Sequence, residues 1–165
     1  MSKSVLPDDE LRMLDRLAHL GIIYLTVVAL TSFFAGAYVL GAHGLPSMLA
    51  ELLIGFSGSA IAALTSCLDR YAIGFERENG KPFPEDAKAG EGKFNRRFSR
   101  WLFVRPFLGA VVAPVFVWGL THFTKNPEAF MSTAESLGFT AFVAGLLAKS
   151  VLDLVKNLFK NVFKA

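Results

Sequence analysis

The chain has 165 residues, of which 53% are hydrophobic and only 19% charged, with a mean hydropathy of +0.44. So few charges, gathered in clusters, cannot coat a water-soluble domain of this size, and the composition points to a bilayer. The net charge of +3 is too small to imply nucleic-acid binding by itself, and the lone Cys67 excludes an intramolecular disulfide.

Residues 1–18 read as a short amphipathic helix behind a loose start. Pro7 precedes Asp8, Asp9 and Glu10, acids that complement the dipole of a first helical turn. Leu11, Leu14 and Leu17 share one side, away from Arg12, Asp15 and Arg16. Such a helix lies at a membrane surface or packs on a bundle. The acids also make this start unlike a signal peptide, which runs from a short basic stretch straight into an apolar one.

Leu20–Ala42 is 23 residues without a charge, and about 20 apolar residues cross a hydrocarbon core. His43–Pro46 is a turn. A second span from Met48 to about Leu68 holds one charge, Glu51, and stops at Asp69-Arg70. Residues 69–101 are polar and rich in Gly, Pro and charge, a loop with at most a helical turn near Phe94–Arg100. A third span covers about Leu102–Phe123, with Pro106 and Pro114 inside and Trp101 and Trp118 where interfacial aromatics collect. A fourth starts at Leu137, but only 12 residues precede Lys149.

Lys and Arg crowd the N-terminal segment, residues 69–101 and the C-terminal tail, while the connection after the first span has none and that after the third only Lys125. Positive-inside bias then predicts an all-α polytopic protein of a bacterial inner membrane. It has four transmembrane helices, both termini in the cytoplasm, and a basic helical extension at the C-terminus. The chain divides into an amphipathic segment (1–18), spans one and two (19–68), a basic cytoplasmic loop (69–101), and spans three and four with the tail (102–165).

Catalytic signatures are missing. His19, His43 and His122 are far apart and no cysteine pair exists, so neither a metal site nor a cofactor is expected. AGEGKF at 89–94 lacks both the first glycine and the hydroxyl of a phosphate loop.

The second span carries a different signal. On a helical wheel Glu51, Gly55, Gly58, Ser59, Ala62, Thr65, Ser66 and Asp69 fall on one face. Repeated around an axis, Glu51, Gly55, Ser59, Ala62, Ser66 and Asp69 would line a water-filled path with acidic mouths, which suits cations. Alternatively, the small residues serve close helix packing.

Arg105, Lys149 and Asp153 are expected near one membrane boundary, where Arg105 and Asp153 would pair as a structural clamp shared by Lys149. The tail sets Lys149, Lys156, Lys160 and Lys164 opposite Leu147, Val151, Leu154, Leu158 and Val162, which suits an interfacial helix or an extension of the bundle. KFNRRFSRW at 93–101 interleaves Lys93, Arg96, Arg97 and Arg100 with Phe94, Phe98 and Trp101. That pattern fits membrane anchoring, or a site for a nucleotide or oligonucleotide.

RPFLGAVVAP (Arg105–Pro114) followed by FVAGLLAKSVLDL (Phe142–Leu154) resembles a pattern in small multi-pass bacterial membrane proteins, an Arg-Pro-x-Leu-Gly-Ala span before an Ala-Gly span. The resemblance covers 105–154 and implies half a fold. The layout is also similar to small membrane effectors of antiphage systems, which implies oligomers that form channels opened by a cytoplasmic signal. The expected function is therefore a homo-oligomeric channel or membrane-permeabilising effector, with four copies the first expectation. Its partners would be the lipid bilayer and a cytoplasmic nucleotide, oligonucleotide or protein. The alternative is a non-conducting anchor that recruits a soluble partner, and a membrane enzyme comes third.

Overall fold

The computed structural model describes residues 8–43, 48–76, 82–83, 92–123, 133–153 and 157. Four α-helices make up nearly all of it: α1 (Asp8–His43), α2 (Met48–Ile73), α3 (Arg96–Phe123) and α4 (Ala134–Leu146). Two short strands, β1 (Phe75–Glu76) and β2 (Pro82–Phe83), pair antiparallel with Phe75 opposite Phe83. The helices α1, α2 and α3 are each long and apolar enough to cross a membrane, whereas α4, with 13 residues, is shorter.

Helix α1 is 36 residues long without a break, about 54 Å at 1.5 Å per residue. The amphipathic segment expected at 1–18 is thus the opening of the first span's own helix from Asp8 onward. No glycine or proline lies between Leu11 and Leu20 to interrupt it. A helix continuous with a span cannot lie flat on a surface, and this one packs on the bundle. Leu14, Ala18, Gly21, Leu25, Ala29, Ser32, Gly36 and Leu40 form a buried ridge at three- and four-residue spacing. Leu20, Ile23, Val27, Leu30, Phe34 and Tyr38 form an exposed apolar ridge on the other side, as a lipid-facing surface requires.

Helix α2 is central and packs against α1, α3 and α4. It runs antiparallel to α1: Ser57 Oγ donates to Ala29 O (2.9 Å), and Tyr71 OH donates to Asp15 Oδ1 (3.0 Å). It is also antiparallel to α3, since Gly55 faces Gly109 and Ala113 while Ser66 meets Arg105. Two core clusters result. One, at the end bearing the 69–101 connection (here the loop end), joins Leu14, Ala18, Cys67, Phe94, Phe98 and Leu102. The other, at the far end, joins Leu40, Ala50, Ile54, Ala113, Leu137 and Ala141.

Part of the polar connection is ordered structure. Helix α2 continues past Leu68 to Ile73 and ends at Gly74, whose φ of 121° is open to glycine at little cost. Beyond it the chain returns so that Glu76 N donates to Phe94 O and Phe94 N to Gly74 O, both at 2.9 Å. Helix α3 then begins at Arg96, six residues before the expected span, with Asn95 Oδ1 accepting from Phe98 N (2.8 Å) as its cap. Of the basic residues expected in the loop, Arg77, Lys81 and Lys88 lie outside the described residues, as do Lys156, Lys160 and Lys164 of the tail.

Candidate functional site

The small face of α2 is taken up inside the chain along its middle. A Cβ on Gly55 would strike Ala113 and come within 2.7 Å of Gly109 O, and one on Gly58 would strike Phe142 O. Gly109 and Gly145 answer from α3 and α4: a Cβ on either would run into the Gly55 carbonyl. Ser59 is 1% exposed, and its hydroxyl donates to Arg105 O (2.8 Å). Backbones this close, with a serine bonding across the contact, are how helices pack where no water drives them together. The rest of the stripe spreads out, with Ala62 half-buried, Ser66 partly buried and Asp69 exposed.

Glu51 stands apart at the far end. It sits in the first turn of α2, where its charge complements the helix dipole. The residue is only 8% exposed, yet no hydrogen bond or ion pair reaches its carboxylate among the described residues. No fully buried side-chain oxygen lacks a partner among those residues, so the carboxylate oxygens keep access to open space. That space is a groove of 630 Å³ between α2 and α3, walled by Leu52, Val111, Pro114, Val115 and Trp118. Among the described residues Thr121 is the other polar side chain at its edge apart from the Trp118 indole N–H, and its hydroxyl already donates to Trp118 O (2.6 Å).

Arg105 does not meet Asp153. Its Nη1 donates to Ser66 Oγ at 2.7 Å, and no ion pair joins Arg105, Lys149 and Asp153 among the described residues. Arg105 turns inward to α2, whereas Lys149 and Asp153 are exposed. Equal depth is not enough for a pair, because both side chains must also rotate toward one interface.

The basic segment divides the same way. Lys93 (5% exposed), Phe94 and Phe98 are buried, and Arg96, Arg97 and Arg100 face outward. The Arg70 guanidinium lies 4.0 Å over the Phe98 ring and donates to Lys93 O (3.2 Å), and Asn95 Nδ2 donates to Glu76 Oε2 (2.9 Å). Phe94 and Phe98 are therefore occupied in the core of a folded cap and are not free to stack on bases, although Trp101 is exposed. Sequence reasoning missed the polar ties of this cap, Tyr71 to Asp15 and Arg70 to Phe98. The available signal was Asp69-Arg70-Tyr71 at the end of an apolar run, polar residues placed where α1 also turns polar.

Among the described residues no group of three or more His, Cys, Asp or Glu could hold a metal ion. The chain matches no family model, no curated protein and no solved structure.

Proposed function

We propose that this chain is a four-crossing bacterial inner-membrane protein that assembles with copies of itself and passes cations under control from the cytoplasmic side. A fourth crossing is supported by the residues beyond α4. Val151 N donates to Leu147 O (3.0 Å) and the chain is helical over 148–153. The stretch 134–153 is then about 30 Å long, the thickness of a hydrocarbon core. The Lys and Arg bias puts the loop end and both termini in the cytoplasm.

The observation that carries cation handling is Glu51, a carboxylate with no bonded partner among the described residues, beside an apolar groove. An ionisable side chain in a membrane segment is costly, about 2.5–3.5 kcal/mol for Asp, Lys or Arg at mid-depth, and such groups mark ion or substrate paths. Glu51 is in the first turn of its helix, where the dipole lowers its cost, but no bonded partner among the described residues compensates its charge. With the groove face of each copy toward a common axis, Glu51 forms an acidic ring at the outer mouth. Arg96, Arg97 and Arg100 supply a cytoplasmic surface for a partner.

The test is flux through liposomes with an ion-sensitive dye. Wild type should pass K⁺, and Glu51→Gln should lower cation flux or selectivity several-fold with its elution volume unchanged. Wild type that stays impermeable, with or without nucleotides and short oligonucleotides, would overturn this reading in favour of a non-conducting anchor. The anchor reading has its own support, since the middle of the α2 small face is used up within one chain. Topology is checked by labelling in a Cys67-free background. Cysteines at Ser47 and Ser132 should react with an impermeant reagent from outside, and one at Ala89 should not.

A further inference from the structure

We infer that the groove beside Glu51 binds an apolar organic monocation, such as a quaternary ammonium or arylphosphonium. The inference deepens the proposed cation reading at the same carboxylate, but it requires the groove and not conduction.

The chemistry of the wall selects this class. At 630 Å³ the groove has the size of a small-molecule site. Among the described residues its lining is apolar except for Glu51, Thr121 and the Trp118 indole N–H. A hard inorganic cation such as Ca²⁺ needs about 6–8 oxygen ligands. Glu51 is the one carboxylate among the described residues of the groove, and the Thr121 hydroxyl is already engaged. A small cation entering the groove of one copy would surrender its water for too few ligands, whereas a ring of carboxylates around a wet axis can pass it hydrated. An organic cation with a spread charge gives up little hydration and covers the apolar wall with its body. Its charge then balances Glu51, the single charge among the described residues that line the space. Trp118 strengthens the match: the residue lines the groove and is 57% exposed, with the His122 ring against its indole at 4.5 Å between centroids, and an indole attracts cations. Access is through the exposed flank: Met48, Val111 and Val115 are all exposed, so an amphiphilic cation reaches Glu51 sideways along apolar surface.

The test is equilibrium dialysis of radiolabelled tetraphenylphosphonium against the full-length protein in detergent and in nanodiscs. Wild type should bind saturably, one cation per chain, and neutral triphenylphosphine oxide should not compete. Glu51→Gln should weaken binding at least about ten-fold. Trp118→Ala, at an exposed position, should weaken it about two- to five-fold, as loss of one cation–π contact predicts. Glu135→Gln, an exposed acid in the first turn of α4, should change nothing. Equal affinity in monodisperse Glu51→Gln, competition by millimolar Ca²⁺, or binding that never saturates would each overturn the inference. So would an absence of binding because a second copy covers the groove. Glu51-dependent flux without tetraphenylphosphonium binding would sink the organic-cation site and leave the channel standing. Binding without flux would do the reverse.

Discussion

The two ends of this bundle are held by different means. At the loop end, side chains are tied by polar bonds: Tyr71 to Asp15, Arg70 over Phe98, Asn95 to Glu76 and Arg105 to Ser66. Phe94 is sealed beneath that cap. From the middle to the far end, α2, α3 and α4 are joined chiefly by glycine backbones in contact and an apolar cluster, with the Ser59 hydroxyl bonding across to Arg105 O, and one carboxylate faces a groove. Polar fastening is cheap where water can reach the unbonded state, whereas inside lipid the tight contact of small residues replaces it. Small-residue packing thereby leaves one carboxylate, Glu51, without a bonded partner among the described residues.

The largest expected effect tests the packed middle. Gly145→Leu drives a side chain into the Gly55 backbone, which cannot rotate away as a side chain could. Overpacking costs about 1–3 kcal/mol where neighbours relax, and here they do not. No monodisperse protein should elute in mild detergent. Elution of Gly145→Leu as wild type would show that α4 does not pack on α2 in this register.

At the loop end, Phe94→Ala should cost about 3 kcal/mol, the lower range for deleting a buried phenylalanine. The loss should appear as a lower melting temperature and as faster proteolysis near residues 77–91. If the cap and bundle are independent, proteolysis alone will change.

A smaller effect separates the partners of Arg105. Losing a hydrogen bond to a charged group costs about 1.5–3 kcal/mol. Arg105→Ala and Ser66→Ala should therefore be non-additive in a double-mutant cycle. Arg105→Ala with Asp153→Ala should add simply, with Asp153→Ala worth about 0.5 kcal/mol or less, as for an exposed site. Coupling between Arg105 and Asp153 would mean that the two meet in the assembled protein.

Much of the fold was legible in the residues. Leu20–Ala42 and the runs around α2 and α3 read directly as spans, and Pro106 and Pro114 did not stop α3. The ends of elements were less legible. Nothing local marks that α1 runs unbroken from Asp8, that α2 extends to Ile73, or that α3 starts at Arg96. In each case polar residues sit on helices whose other faces are buried. Of the candidate site, Glu51 was visible as the one charge in its span, but the groove beside it was not, because its other wall comes from α3.

Hydropathy and charge asymmetry are sums over neighbours in sequence, so the sequence alone determined the apolar helices, the small-residue face of α2 and the basic segments. Which partner each face meets depends on helix rotation and register between residues far apart in the chain. Only the tertiary structure decided that Gly55 and Ser59 are spent on α3 and α4, that Arg105 turns to Ser66 and not Asp153, and that Phe94 and Phe98 point inward. The same rotation that buries Gly55 against its neighbours leaves Glu51, one turn earlier on α2, facing open space.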